Sequence, residues 1–191
     1  MAMGHPFQVL DLGGGLGISY QGEEIPAVED YARALIGPVR KLGLKLIIEP
    51  GRSLVGKTGV LLTKVIGLKS TPAKKFVVVD GAMNDLIRPC LYEAYHEIES
   101  VVQAPVAPNL VDIVGPICET ADFFGHDRKL PNVRKGDVLY VKDCGAYGFS
   151  MASNYNSRPR PAEVLVDGAS FTVARRRETL NEIWAMETTT A

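Results

Sequence analysis

Two short apolar runs, FQVLDL at 7–12 and LKLIIE at 44–49, each break into a glycine-containing turn, GGGLG and PGR. Between them, in VEDYARALIGPVRKL (28–42), Val28, Tyr31, Ala32, Leu35, Val39 and Leu42 recur at spacings of three and four. That spacing places them on one face of a helix, with Gly43 as its stop and Gly37-Pro38 as the place for a kink. Strand, helix and strand with short connections make a βαβ unit, whose two strands run parallel. Both strands read as buried. Their carboxyl ends then share one rim, where the N–H groups of two glycine turns converge. A (β/α)8 barrel holds phosphate on such a rim. Two glycine turns suit one phosphate better than a nucleotide chain.

Beyond residue 57 the pattern changes. GVLLTKVIGLK, KKFVVVD, EIESVVQ, LVDIVGP, GDVLYVKD, AEVLVDG and SFTVARR are rich in Val, Ile and Thr and punctuated by Gly, Pro and Asp. They read as strands. NDLIRPCLYEAYHE and ETLNEIWAME read as helices. The expected fold is α/β followed by mostly β, with the boundary near residues 53–58: one unit over 1–57, the other over 58–191.

GRSLVGKT (51–58) also matches G-x-x-x-x-G-K-[ST], and FVVVD ends in Asp80, where a magnesium-binding strand would end. A phosphate loop must open a helix, whose N-terminus completes the anion site. The segment after Thr58 carries Gly59, Gly67 and the β-branched Val60, Thr63, Val65 and Ile66, which is a strand pattern. The nucleotide-hydrolase reading therefore lacks its context, and GKTG reads more plainly as a polar turn. GGGLGISY likewise has Ile18 where the last glycine of a dinucleotide motif belongs.

Net charge excludes further classes. A formal charge of -1 over 191 residues argues against nucleic-acid binding. No apolar run approaches the roughly 20 residues that cross a membrane. MAMGHPFQVLDLGGG has no basic stretch followed by an apolar core, so no signal peptide is visible. Cys90, Cys118 and Cys144 are odd in number and lack CxxC spacing. That argues against a disulfide framework or a zinc site and for a reducing compartment such as the cytoplasm.

LDLGGGLGISY followed by IIEPGRSLVG resembles the late barrel strands of the alanine-racemase-fold, pyridoxal-phosphate-dependent decarboxylases. VVDGAMNDLIRPCLYEAYHEI, VGPICETADFFG and CGAYGFSMASNYNSRPRPAEVLV point within them to the diaminopimelate decarboxylases. The resemblance runs through nearly the whole chain. It implies the last βα units of a (β/α)8 barrel that binds pyridoxal phosphate, followed by a β-barrel or sandwich domain. It also implies a homodimer with its active site at the subunit interface. Family members are longer toward the N-terminus, so the chain is expected to be a C-terminal portion. Most of the barrel, the Schiff-base lysine and a ring-stacking histidine are then missing, and the isolated chain is expected to be inactive. Lys142, in VLYVKD, reads as an ordinary strand lysine.

By that resemblance, Gly13, Gly14, Gly15, Gly51 and the main chain of Arg52 hold the cofactor phosphate. Glu49 faces the pyridine nitrogen, and Tyr147 adds contacts from the β domain. A strand-end acid facing water is the plainer reading of Glu49 alone. Arg52, Arg88, Tyr92, Glu119 and Tyr147 bind meso-diaminopimelate, with Glu119 facing the distal ammonium. Arg88 and Tyr92 share a face if their stretch is helical, and a guanidinium suits a distal carboxylate bidentately. Without the family match, the plainer alternative for Arg88 is a solvated helix face, and Tyr147 could equally be a packing residue. Cys118 is the implied proton donor after decarboxylation, supplied across the dimer. A lone cysteine among apolar residues is usually inert, so this role rests on ICET. His96 and His126 match no role and read as surface residues. Rival readings are a decarboxylase of ornithine, arginine or carboxynorspermidine, the nucleotide hydrolase, and a non-catalytic fragment that binds a partner chain. Arg88, Tyr92 and CET favour a substrate with a distal carboxylate.

Overall fold

The computed structural model describes residues 6–102 and 109–188. The first five residues of the N-terminal reading and Gln103 of the EIESVVQ run lie outside them. Strand β1 (Val9–Asp11) pairs in parallel with β2 (Lys45–Ile47), Val9 opposite Lys45 and Asp11 opposite Ile47. Helix α1 (Val28–Lys41) joins them. Glu29 and Asp30 in its first turn and Arg40 and Lys41 in its last both suit the helix dipole. Gly43, at φ +66°, ends it where a side chain would be strained.

Burial in this unit departs from the sequence pattern. Of the helix residues only Val39 is buried, and Val28 is exposed. The strands, read as buried, leave Val9 43% and Ile47 40% exposed. The reason is geometric. A parallel sheet buries its strands when helices cover both faces, and here two strands have one helix.

The second sheet has six strands: β3 (Leu61–Ser70), β4 (Lys75–Val79), β5 (Ile98–Ser100), β6 (Asn109–Val114), β7 (Phe123–Leu130) and β8 (Val138–Val141). Their spatial order is β5-β8-β3-β4-β6-β7, antiparallel throughout except for β4 beside β6. The outer strands β5 and β7 approach each other, so the sheet nearly closes. Inside it lie Val65, Val77, Val79, Leu86, Ile98, Ile113, Phe124, Leu130, Leu139 and Val141. Alternation along the strands selects all of these but Leu86, which enters from the turn region between β4 and α3. Burying each such side chain contributes about 1.5–3 kcal/mol. A hairpin, β9 (Glu163–Asp167) and β10 (Ser170–Arg175), follows.

Strand β7 has no clear pattern in sequence. FFGHDRKL turns Phe124 and Leu130 inward, but a register shift beside Asp112 and a left-handed Asp127 (φ +50°) interrupt its alternation. The two expected helices are shorter than their patterns. In NDLIRPCLYEAYHE, Asn84 and Asp85 are tied into a turn, and helix α3 spans only Arg88–Tyr92 before Glu93 turns left-handed at φ +53°. In ETLNEIWAME, Glu178 grips Arg160, and α4 covers only Leu180–Ile183, started by a Thr179–Glu182 capping box.

The stretch 52–59 joins the two sheets. Helix α2 (Arg52–Val55) and a tight turn over Gly56–Thr58 lead into β3. GRSLVGKT thus runs into a strand and opens no long helix. Its glycines serve close packing. The amide of Gly145 donates to Gly56 O at 3.0 Å, and that of Cys144 to Gly59 O at 2.8 Å. A Cβ on Gly145 would stand 1.8 Å from the carbonyl oxygen of Val55.

Candidate active site

The ends of β1 and β2 meet at the glycine turns. The amide of Glu49 donates to Gly13 O at 2.6 Å. A Cβ on Gly14 would lie 2.8 Å from the carbonyl oxygen of Glu49, so only glycine permits this approach. Gly13 and Gly15 are left-handed, at φ +67° and +99°. The Gly13 amide already donates to the Asp11 carboxylate at 2.8 Å. The Tyr31 hydroxyl donates to Gly14 O and ties α1 to the turn. The Glu49 side chain is exposed at the strand end.

Beside this rim is a cavity of about 450 Å³, lined in part by Tyr20, Arg52, Arg88, Tyr92, Tyr147 and Met151. No lysine is among its described lining residues. Arg52 lies between two aromatic faces, its Cζ 5.9 Å from the Tyr20 ring centre and 5.7 Å from that of Tyr147. Tyr147 is itself left-handed (φ +60°), and its hydroxyl would be 3.2 Å from a Cβ on Gly51. The first unit and the six-stranded sheet therefore meet across Gly51 and Tyr147.

Arg88, at the start of α3, is buried, whereas Tyr92 one turn later is exposed. The solvated face that Arg88 alone could suggest is not found, and Arg88 and Tyr92 line one cavity. Arg88 Nη1 donates to the Tyr20 hydroxyl at 3.0 Å and lies 2.9 Å from His96 Nε2. Tyr20 sits in a turn built on Glu23, whose carboxylate accepts from the amides of Tyr20 and Gln21, each at 2.7 Å. Those hydrogen bonds, the Gln21 amide foremost, hold the Glu23 pKa down at about 2. His96, expected at the surface, is instead fully buried against Arg88, while His126 is exposed and pairs with Asp112 at 3.0 Å. The sequence concealed His96 because AYHEI places it just after a helix whose end could not be read from the pattern.

Cys118 and Glu119 do not line this cavity. Both are exposed on the loop between β6 and β7. Asp122, nearly buried, shapes that loop by accepting from the amides of Ile117 and Met83, each at 2.7 Å. Burial raises the Asp122 pKa against these hydrogen bonds. Glu119 accepts from the Tyr155 hydroxyl at 3.2 Å. The sequence marks Tyr31 only as part of a helix face and gives no sign of Tyr20, Glu23 or Asp122, since no spacing rule marks a residue that braces a turn.

A family model described as pyridoxal-dependent decarboxylase, C-terminal sheet domain, matches residues 7–145. The diaminopimelate decarboxylase of Neisseria meningitidis serogroup A is 54% identical over 97% of this chain and 46% of its own length. The crystal structure of diaminopimelate decarboxylase from M. jannaschii superposes with a TM-score of 0.90 at 44% identity, over 96% of this chain and 43% of that one. The Helicobacter pylori enzyme complexed with L-lysine gives 0.87 at 42% identity, over 97% and 46%. The chain thus spans less than half the length of these relatives. No helix of the described residues is long and apolar enough to cross a membrane. With its nearly closed sheet and its glycine rim, the chain belongs to the pyridoxal-dependent decarboxylases, matching the family's C-terminal sheet domain.

Proposed function

We propose that the chain is the C-terminal portion of a pyridoxal-phosphate enzyme that decarboxylates meso-diaminopimelate to L-lysine. In this reading residues 1–57 are the last βα units of a (β/α)8 barrel and residues 58–191 the C-terminal β domain. The observation that carries the substrate is Arg88: a buried guanidinium, held by neighbours and facing a cavity that Arg52 and Tyr92 also line. Diaminopimelate has two amino-acid ends. The end that does not react keeps its carboxylate, which a planar guanidinium grips bidentately. The H. pylori relative is complexed with L-lysine, which retains that same end.

The rim suits pyridoxal phosphate on its own geometry. A Cβ at Gly14 would strike the carbonyl oxygen of Glu49 and one at Gly51 would press on the Tyr147 hydroxyl, so glycine is what lets both turns pack at the rim. The amides of Gly14, Gly15 and Gly51 and the main chain of Arg52 would hold the phosphate, with Gly13 shaping the turn because its amide is engaged by Asp11. Glu49 would keep the ring nitrogen protonated, since a nearby negative charge favours the protonated form. When bound, the cofactor supplies the electron sink that lets carbon dioxide leave. Tyr147 reaches the rim from the β domain, and Arg52, Arg88 and Tyr92 orient the substrate.

Cys118 would deliver the proton, and Glu119 would receive the distal ammonium. Both lie outside the cavity of their own chain, which supports a homodimer in which one copy completes the other's site. Three free cysteines are compatible with the cytoplasm.

The test is carbon dioxide release by a full-length enzyme ending in these 191 residues, with meso-diaminopimelate, ornithine and arginine compared. Only diaminopimelate should turn over well, and Arg88→Ala should cost about 3 kcal/mol in kcat/KM, the scale of a buried charge losing its partner. Equal use of ornithine, or an Arg88→Ala enzyme of unchanged kcat/KM, overturns the assignment. The isolated chain should form no stoichiometric borohydride-stable lysine adduct.

A further inference from the structure

The distal-carboxylate arginine is itself held by a residue with no assigned role. His96 lies fully buried with its ring spanning two fixed groups. Nδ1 is 2.8 Å from the carbonyl oxygen of Lys142, at the end of β8. A carbonyl only accepts, so Nδ1 carries the proton. Nε2 is 2.9 Å from Arg88 Nη1, and a guanidinium only donates, so Nε2 presents its lone pair. The two contacts together select one neutral tautomer. A doubly protonated ring would set an N–H against the guanidinium.

Nη1 has two hydrogens. One points to His96 and the other to the Tyr20 hydroxyl at 3.0 Å. That leaves Nε and Nη2, an edge with two parallel N–H bonds, to meet a carboxylate. Tyr20 packs under Arg88 with its ring centre 5.3 Å from Cζ, and edge-on to His96 at 5.3 Å and 77°. His96 and Tyr20 thus fix the guanidinium plane.

The groups around His96 favour the neutral ring. Burial lowers its pKa first of all, the Lys142 carbonyl opposes this, and Arg88 adds to the lowering. Arg128 also lowers it, more weakly, and Asp143 raises it. The remaining neighbour, the Cys144 thiol, is 3.9 Å from Nδ1 and remains protonated because burial pushes its pKa up to about 12.

We propose that His96 is a positioning residue that accepts a hydrogen bond from Arg88 and, with Tyr20, turns the free edge of the guanidinium toward the distal carboxylate of the substrate. The proposal rests on the reading of this cavity as the substrate site, and the experiment separates the two.

In the 191-residue chain, imidazole ¹⁵N spectra should show His96 protonated at Nδ1 and still neutral at pH 6.5, where an ordinary imidazole is about half protonated. Protonation at Nε2, or half-titration at that pH, overturns the proposal. In the full-length enzyme, inhibition by L-lysine is compared with inhibition by cadaverine, which lacks the carboxylate that L-lysine keeps. His96→Phe should weaken L-lysine inhibition about tenfold, the scale of one hydrogen bond to a charged group, and leave cadaverine inhibition unchanged. His96→Gln, whose amide oxygen can still accept from Arg88, should restore most of the L-lysine inhibition and serves if the Phe variant does not fold. Equal weakening of both inhibitors would mark a merely structural residue and overturn the proposal. Arg88→Ala is the control on the site itself. If it leaves L-lysine inhibition intact, the substrate reading fails. If it abolishes that inhibition while both His96 variants retain it, only the positioning role fails.

Discussion

Replacing Gly145 by alanine tests whether the join between the two sheets holds the chain together. The new Cβ would sit 1.8 Å from Val55 O, 2.9 Å from Val55 C and 3.0 Å from Gly59 N, all backbone atoms. No rotamer change relieves such a clash, so one backbone segment must retreat by roughly 1.5 Å to reach ordinary contact. That movement breaks the hydrogen bonds from Gly145 to Gly56 and from Cys144 to Gly59. Two lost hydrogen bonds cost about 1 kcal/mol each, and overpacking costs about 1–3 kcal/mol more. The expected loss is about 3–5 kcal/mol, a large share of the 5–15 kcal/mol typical of a domain. Urea unfolding of the chain followed by circular dichroism measures it. Gly67→Ala is the matched comparison: it lies inside β3 and a Cβ there comes no nearer than 3.9 Å to Val78, an ordinary contact, so stability should rise by about 0.5–1 kcal/mol. A Gly145→Ala variant that loses less than 1 kcal/mol would refute the argument from close approach.

Among the thiols, Cys118 is exposed whereas burial pushes Cys144 up to about 12, so alkylation near pH 8 followed by peptide mapping should find Cys118 modified first. Because the folded pKa of His96 is depressed, the unfolded chain binds the extra proton first as pH falls. Stability conferred above about pH 6.5 should therefore be lost below it, by at most about 1.4 kcal/mol per pH unit, and His96→Gln should remove that share of the slope in acid titrations of the unfolding midpoint. In a full-length enzyme, Glu49→Gln should lower kcat far more than it lowers pyridoxal-phosphate affinity; near-normal turnover would free Glu49 of the role proposed for it.

The parts of the fold legible in the sequence were those with a strong local period. The helix over 28–41 is set by spacings of three and four and ended by Gly43. Most strands of the sheet announce themselves by β-branched runs. Strand β7 does not, because its register shift and the left-handed Asp127 break the alternation that a pattern relies on. The helix in NDLIRPCLYEAYHE is shorter than its pattern because the decisive event is nonlocal: Asn84 bonds to the carbonyl of Ser153, which no window over residues 84–97 contains. The exposure of Val9 and Ile47 shows the converse. Their apolar character speaks of neighbours that one helix does not supply. Around the candidate site, motifs marked Arg52, Arg88, Tyr92 and Tyr147, which line one cavity. The residues that orient them are silent in the sequence, since Tyr20 lies 68 positions from Arg88, and His96, though only 8 away, is set by the carbonyl of Lys142, 46 positions on.

The loop bearing Cys118 and Glu119 is shaped by its own chain, through Asp122, and stands away from the cavity of that chain. Under the shared-site reading, this separates the machinery into two inheritable halves. A subunit carrying Arg88→Ala still offers a sound loop, and one carrying Cys118→Ala still offers a sound cavity. Either variant alone leaves every site defective. A mixed dimer concentrates both lesions in one site and leaves the other whole, so coexpression of two inactive forms should restore lysine-independent growth. In a single-chain site the two defects would never complement.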